Sequence, residues 1–244
     1  MKETLLTVLE NTRLADGIYR LRLAGDTSAI TAPGQFVNLK LSGFFLRRPI
    51  SVCDWSDGEL TLIYKVLGHG TEAMTGMAVG TELDALTGLG NGFDMSRGGE
   101  HPLLVGGGVG IPPLYGLAKR LTAQGKRVTA VLGFNRKSEI FLAEEFRALG
   151  AEVVIATADG SAGIHGLVTD GMAAVSDYTY LYTCGPEPML KAVYDACKTS
   201  GQFSFEERMG CGFGACMGCS CETKYGNKRI CKDGPVLEKE EIVW

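Results

Sequence analysis

The spacing of four cysteines near the C-terminal end constrains this chain more than any other feature of its sequence. Cys211, Cys216 and Cys219 form a C-x4-C-x2-C pattern, and Cys231 follows after eleven intervening residues. This spacing is typical of plant-type [2Fe–2S] ligation, in which four thiolates hold two irons and one tight loop supplies the first three. The sequence therefore predicts a [2Fe–2S] cluster held by these four cysteines.

The residues around these cysteines suit a tightly wound loop. Glycines let the backbone pass close to a cluster and direct its N–H groups at the sulfurs, and four of them lie here: Gly210, Gly212, Gly214 and Gly218. A structural zinc site is the alternative, but zinc ribbons usually offer two C-x2-C pairs, whereas the distal cysteine here is single. Cys221 as a ligand in place of Cys219 would lose the spacing, and we predict that it is a bystander.

Length and composition limit what can surround this site. A chain of 244 residues predicts two compact units plus a small appendage. The formal net charge of -4 provides no basic stripe for nucleic acid. The N-terminal residues form no apolar signal core, and glycines and prolines interrupt the most hydrophobic stretch, residues 102–118. Eight cysteines without a secretory signal indicate metal or redox chemistry, and the predicted location is the cytoplasm.

The hydrophobic pattern divides the chain into three parts. Residues 1–98 contain short alternating runs separated by turns, which predicts a small closed antiparallel β-barrel. In residues 99–203, buried-strand signals alternate with helical stretches at 114–124, 140–149 and 187–199, which predicts a doubly wound α/β domain with a parallel sheet. Residues 204–244, rich in Cys and Gly, form a small third part around the predicted cluster.

A glycine-rich turn follows the first predicted strand of the second part. Leu103-Leu104-Val105 leads into a turn that contains Gly107, Gly108 and Gly110, and prolines occupy the start of the next helix. Such a turn brings backbone N–H groups and a helix N-terminus close to a pyrophosphate. The spacing differs from the dinucleotide-binding fingerprint, so a glycine-packed loop without a ligand is the alternative.

A second segment, Cys184-Gly185-Pro186, also joins a strand end to a helix start. Because ligands of doubly wound sheets bind at the carboxyl ends of the strands, we expect this segment to face the glycine turn across a nucleotide. The Cys184 thiol would then lie against a nicotinamide ring. A buried cysteine behind a tight turn is the alternative.

Together, these two segments resemble the ferredoxin–NADP reductase superfamily, whose members join an FAD-binding barrel to a nicotinamide-binding α/β domain. Arg48-Pro49-Ile50-Ser51 is similar to the flavin signature of that family, and the resemblance implies that Arg48 binds the flavin diphosphate and Ser51 the isoalloxazine edge. Other segments that line the flavin in the family match Ile63-Tyr64-Lys65 and Gly70-Thr71. Arg47 is predicted to be a solvent-facing charge.

No catalytic side chain is predicted. His69, His101 and His165 are expected to be solvated loop residues, because in flavin–nicotinamide chemistry the cofactors carry the reaction. NAD is preferred over NADP, although Arg136 and Lys137 could contact a 2′-phosphate; an exposed basic turn is the other interpretation.

The order of barrel, nucleotide domain and cluster loop is similar, over essentially the whole chain, to the electron-transfer subunits of NAD-dependent dihydroorotate dehydrogenases. Residues 207–219, 231–236 and 159–163 carry this resemblance. It implies that electrons pass from the FMN of a catalytic partner subunit to the [2Fe–2S] cluster, then to FAD and NAD, in pyrimidine biosynthesis. The family's FMN-bearing (β/α)8 barrel takes about 250 residues by itself, so we expect it on a separate chain, in a heterotetramer of two plus two.

Three other functions stay open at this point. One is the small flavin subunit of a bifurcating ferredoxin–NADP oxidoreductase or a sulfide dehydrogenase. Another is an electron-transfer module of a hydrogenase complex. The third, a zinc-stabilised binding protein, is disfavoured by the flavin segment and the glycine turn.

Overall fold

The computed structural model describes residues 1 to 244. Its first part has six antiparallel strands: β1 Lys2–Ala15, β2 Ile18–Gly25, β3 Phe36–Leu39, β4 Arg48–Ser56, β5 Glu59–Lys65 and β6 Glu82–Leu89. They close into a barrel in the order β1-β2-β5-β4-β3-β6, and the short helix α1, His69–Thr75, follows β5. Alternate residues such as Leu21 and Leu23 on β2, or Leu60 and Leu62 on β5, fill the barrel interior. The predicted closed barrel is therefore confirmed.

The second part alternates strands with helices. The strands are β7 Pro102–Gly107, β8 Thr129–Phe134, β9 Glu152–Thr157, β10 Ile164–His165, β11 Tyr180–Cys184 and β12 Gly201–Ser204. The helices are α2 Ile111–Ala123, α3 Ala143–Ala148, α4 Val168–Ala173 and α5 Glu187–Ala196. Leu114 of α2 packs with Leu104 on one face of the sheet, and Leu190 of α5 packs with Leu103 on the other. The helices thus cover both faces, as predicted, and none of them is long and apolar enough to cross a membrane.

The C-terminal segment returns to this sheet. It contains the hairpin β13 Ser220–Thr223 and β14 Gly226–Arg229, followed by β15 Val236–Glu238. β15 pairs antiparallel with β12 and completes a seven-stranded sheet in the order β10-β9-β8-β7-β11-β12-β15, in which the other pairings are parallel. The cysteine loop is therefore anchored to the nucleotide domain at both of its ends.

Three helix boundaries differ from the predicted ones. The helix predicted at 140–149 begins only at Ala143, because Leu142 has a left-handed backbone with φ of 61°. The helix predicted at 187–199 ends at Ala196, because Cys197 is extended. The helix predicted at 114–124 begins earlier, at Ile111, with prolines in its first turn, where a missing N–H costs nothing.

The barrel and the sheet are joined along β4 and α2. The guanidinium of Arg120 on α2 stacks over the Trp55 ring at 3.5 Å from its centroid, and Asp54 forms ion pairs with both Lys119 and Arg120. At Gly116, α2 approaches the carbonyl oxygen of Cys53 so closely that a Cβ would lie 2.5 Å from it. This joint fixes the strand that starts with the flavin segment against the helix that starts with the glycine turn.

Candidate functional site

The predicted flavin segment opens strand β4, next to β3. The Arg48 guanidinium donates a 2.6 Å hydrogen bond to the Leu46 carbonyl and lies 4.8 Å from the centroid of the Phe44 ring. It is half-buried, forms no ion pair with any carboxylate, and packs directly against the backbone of Gly70. Two predicted flavin residues are thus brought together, and a partly buried cation without a protein anion suits a diphosphate.

The neighbouring Arg47 is not the solvent-facing charge that we predicted. Its Nη1 lies 2.9 Å from Oδ1 of Asp84 on β6, its Nη2 lies 3.6 Å from Glu3, and its side chain is only 20% exposed. Hydrogen bonding from Arg47 holds the pKa of Asp84 below its usual range. The prediction was wrong because the Asp84 carboxylate on β6 pairs with Arg47, and most of the Arg47 side chain is buried.

The residues of the second predicted flavin segment, on strand β5, point in different directions. Ile63 packs into the core shared with the nucleotide domain, whereas the Tyr64 ring points into the barrel and its hydroxyl donates to Asn11 Oδ1 at 3.1 Å. Burial raises the pKa of Tyr64 to about 12. The Tyr64 side chain is therefore unavailable to a cofactor outside the barrel, while Lys65 at the strand end forms no ion pair and is half-buried.

Thr71 lies in α1, beside the same region. Its Oγ1 accepts the backbone N–H of Leu67 at 2.9 Å and donates to the Gly68 carbonyl at 3.1 Å. The hydroxyl thus shapes the turn that carries Gly70 past Arg48.

The two predicted nucleotide segments lie side by side at the carboxyl edge of the sheet. β7 and β11 are parallel neighbours with Gly106 opposite Cys184, so the glycine turn and Cys184-Gly185-Pro186 leave the sheet together. A Cβ at Gly110 would overlap the Cys184 carbonyl oxygen, which makes glycine necessary there. The turn leads directly into α2, a helix of 13 residues. This backbone cradle, open at Gly108, fits a dinucleotide pyrophosphate.

Cys184 ends strand β11 at this edge. Burial raises the pKa of its thiol to about 12, so the sulfur is neutral near pH 7. Ser204 lies opposite it in the β11–β12 register. A neutral thiol of this kind can pack against a nicotinamide ring without adding charge.

The loops after β8 and β9 form the far end of this edge. Arg136 is bound by its own loop, since its Nε lies 3.0 Å from Glu139 Oε1. The Ser161 hydroxyl accepts the backbone N–H of Lys137 at 2.7 Å and donates to Asp159 Oδ1 at 2.6 Å. These contacts with Ser161 lower the pKa of Asp159, so a carboxylate lies beside the turn for which we considered a 2′-phosphate.

The four predicted cluster cysteines approach one another as two pairs. The Cys216 backbone N–H lies 3.4 Å from Cys211 Sγ, and the Cys211 N–H lies 3.5 Å from Cys216 Sγ. Separately, the Cys231 N–H lies 3.4 Å from Cys219 Sγ. No three Cys, His, Asp or Glu side chains of the chain converge on one point, as a mononuclear zinc site requires. Two sulfur pairs fit a group with two irons.

The two pairs differ in exposure and in electrostatics. Cys219 and Cys231 are 2% exposed, whereas Cys216 is exposed and Cys211 half-buried. Burial raises the pKa of Cys211, but N–H donors from Phe213 and Cys216 outweigh it and lower the pKa to about 6. Burial raises the pKa of Cys231 to about 12. Amide donors thus already stabilise a thiolate in the exposed pair.

Cys221 lies on β13, outside both pairs. Its side chain is half-buried against the apolar residues under the loop, and burial raises the pKa of its thiol. Its role as a bystander stays a prediction.

Asn38 is a contact that the sequence did not reveal. It lies on β3 opposite Pro49, is 1% exposed, and its Nδ2 donates to the Cys211 carbonyl at 3.3 Å, so it links the flavin strand to the cysteine loop. Its Oδ1 has no partner within the chain. The alternating pattern of β3 predicts which residues face outward from the barrel. It does not predict which of them contacts the cysteine loop.

Comparisons with known families match two parts of the chain. Residues 206–243 match the iron–sulfur cluster binding domain of dihydroorotate dehydrogenase B, and residues 104–195 match the oxidoreductase NAD-binding domain.

Curated relatives extend this similarity to the full length. The electron transfer subunit of dihydroorotate dehydrogenase B (NAD(+)) from Shouchella clausii is 44% identical, over 99% of this chain and 98% of that protein. The protein of the same name from a Geobacillus strain is 45% identical over 100% of this chain and 99% of that protein. The protein of the same name from Fusobacterium nucleatum is 41% identical over 97% of this chain and 96% of that protein.

Solved structures share the fold. A structure of an NADH-dependent reduced ferredoxin-NADP oxidoreductase superposes with a TM-score of 0.88 at 29% identity, covering 98% of this chain and 90% of that one. A ferredoxin NADP+ reductase from Neisseria gonorrhoeae with bound FAD and NADP superposes with a TM-score of 0.70 over 80% of this chain, and at 17% identity it shows the fold alone.

Proposed function

The chain belongs to the family of electron transfer subunits of NAD-dependent dihydroorotate dehydrogenase B, and from this premise we propose that it connects a dihydroorotate-oxidising partner subunit to NAD. Its cofactors are FAD, a [2Fe–2S] cluster and NAD. When bound, the cluster passes single electrons and the flavin exchanges them for a hydride with the nicotinamide.

The observation that carries this proposal is the coexistence of three cofactor sites on one chain. We propose that residues 1–98 hold FAD through Arg48 and Ser51, and that residues 99–203 hold NAD on the glycine turn and Cys184-Gly185-Pro186. Residues 204–244 hold the cluster on the two cysteine pairs. The half-buried cation, the backbone cradle and the paired sulfurs support these assignments.

The side chains of the chain have positioning roles in this scheme. Arg48 neutralises the flavin diphosphate, while the joint between Trp55 and Arg120 holds the two nucleotide sites at a fixed separation. The neutral Cys184 thiol contributes packing near the nicotinamide and keeps its proton near neutral pH, because burial raises its pKa.

We propose that the partner carries FMN and that two copies of each chain assemble into a heterotetramer. The exposure of the cluster loop supports docking of a partner there, because Cys216, Phe213 and Met217 place one side of the loop at the surface, the last two at 43% and 55% exposure. The partner interface would then include residues 211–219 and the neighbourhood of Cys231.

Reconstitution tests the proposal. The chain alone should oxidise NADH with an artificial acceptor and should leave dihydroorotate unchanged. Addition of the FMN subunit from the same genome should start dihydroorotate-dependent NAD reduction, and chains without iron should lose this activity while keeping NADH–dye activity. Oxidation of dihydroorotate by the isolated chain, or full activity of an iron-free pair, would refute the proposed route.

The second candidate is the small flavin subunit of a bifurcating ferredoxin–NADP oxidoreductase, which the superposition at a TM-score of 0.88 favours. The same experiment separates the two. Inactivity with a competent FMN partner, combined with ferredoxin-dependent turnover, would select this second function.

A further inference from the structure

A single arginine joins the two halves of the cysteine site. Arg229 ends strand β14, two residues before Cys231. Its Nη1 donates to the carbonyl oxygen of Gly214 at 2.9 Å. Gly214 lies between Cys211 and Cys216, so this bond runs from the segment of the buried pair to the loop of the exposed pair.

Asp233, on the other side of Cys231, fixes the same guanidinium. The Nε and the backbone N–H of Arg229 both lie 3.0 Å from Asp233 Oδ2, and Nη2 lies 3.3 Å from Oδ1. The side chains of Arg229 and Asp233 are 26% and 32% exposed, so the pair is partly shielded from water. A bidentate, charge-assisted pair of this kind has a defined geometry, which most exposed ion pairs lack.

The loop lies unusually close to this turn. Gly214 has φ of 92°, which L side chains rarely adopt, and a Cβ there would lie 2.6 Å from Cδ of Lys232. The backbone N–H of Ile230 also donates to the Cys219 carbonyl at 3.0 Å. The segment around Arg229 therefore holds both the Cys219 backbone and the loop between Cys211 and Cys216.

We propose that Arg229 is a positioning residue for the iron–sulfur cluster and sets the spacing between the Cys211–Cys216 pair and the Cys219–Cys231 pair. The inference rests on the cluster site of the proposed function. The planar guanidinium contacts Gly214 and Asp233 at once with donors in fixed directions, whereas a lysine ammonium is a single point charge. Geometry and charge can therefore be separated by substitution.

The experiment uses the full chain loaded with FAD and cluster, in four variants: Arg229→Lys, Arg229→Gln, Asp233→Asn and the control Arg208→Gln. Arg208 is exposed at the start of the same loop, so its replacement removes one positive charge without altering the contacts of Arg229. Iron release to an excess of chelator is followed by visible absorbance, and the reduced cluster is examined by electron paramagnetic resonance.

Both Arg229 variants should release iron at least about tenfold faster than the unmodified chain, as expected for a lost charge-assisted bond. Their g-values should shift, and their flavin content and NADH–dye activity should not change. Asp233→Asn keeps the bond from Arg229 to Gly214 and should therefore release iron at an intermediate rate. If an Arg229 variant fails to retain flavin, Asp233→Asn tests the inference in its place. The control should match the unmodified chain.

Two results would overturn the inference. Unchanged iron release and g-values in Arg229→Gln would show that Arg229 does not position the cluster. Full rescue by Arg229→Lys would assign the effect to charge alone. An unmodified chain that assembles no cluster would instead refute the cluster assignment of the proposed function, so the two failures are distinguishable.

Discussion

Replacement of Arg48 by alanine tests the proposed flavin site. The guanidinium is half-buried, packs against Gly70 and forms no ion pair with a carboxylate. Its positive charge is therefore available to the diphosphate of FAD. Arg48→Ala should weaken FAD binding while leaving the cluster intact, because the cysteine pairs lie on a different segment of the chain.

The magnitude follows from the kind of bond that is lost. A charge-assisted hydrogen bond contributes about 1.5–3 kcal/mol, which corresponds to an increase of about 10- to 150-fold in the Kd of FAD. The partial exposure of Arg48 places the expected value in the lower half of this range, since water screens part of the interaction. FAD retained after gel filtration and iron per chain are the two quantities to measure.

Arg47→Ala is the matched control. It removes the same charge one residue earlier, but Arg47 is bound to Asp84 and Glu3. We expect it to lower the free energy of unfolding by about 1–3 kcal/mol, because the half-buried Asp84 loses its main partner, and to leave FAD affinity near that of the unmodified chain. Normal flavin content in Arg48→Ala, or an equal loss in both variants, would refute the assignment of Arg48 to the diphosphate.

Two further predictions concern the cluster and the nucleotide. Serine should damage the [2Fe–2S] signal at each ligand position but not at Cys221, since a serine alkoxide is a poorer ligand for iron than a thiolate; loss of the signal in Cys221→Ser with retention in Cys219→Ser would contradict the ligand set. Asp159→Ser should raise the ratio of NADPH to NADH oxidation by about tenfold, because like charges repel at a binding site and Ser161 links the Asp159 carboxylate to the turn at Lys137. Steady-state kinetics with both nucleotides measure this ratio, and an unchanged ratio would place the 2′-position elsewhere.

The sequence predicted the parts of the fold that local patterns encode. Short, partly alternating runs identified the barrel strands β1, β2, β3 and β5, whereas β4 was expected only from the flavin resemblance and β6 was missed. Buried-strand signals followed by helical stretches identified the α/β sheet. β10 was missed because two residues are too short for a periodic pattern, and α4 was missed as well. β15 was missed for another reason. Its pairing of Gln202 with Glu238 joins residues that are far apart in the chain, and no local signal predicts such a partner.

Sequence analysis could predict those parts of the candidate site that a single continuous chain segment forms. The cysteine loop and the glycine turn are such segments. Arg47 and Arg48 are adjacent and chemically identical, so only the structure could show that Asp84 on β6 neutralises the first and leaves the second free. In the same way, Tyr64 matched a flavin-lining segment, but the pleat of β5 turns its ring into the barrel.

The separation between the flavin and nicotinamide sites is encoded still less locally. β4 begins with the flavin segment at Arg48 and reaches the joint at Trp55, while α2 begins at the glycine turn and reaches the same joint at Arg120. Strand β4 and the 13-residue helix α2, each held by its own regular hydrogen bonds, thus connect the two segments through one shared contact. Hydride transfer requires the reacting atoms to be close and aligned. With the cofactors at the proposed sites, the contacts among Cys53, Gly116 and Arg120 would set that distance, although none of these residues belongs to a cofactor motif.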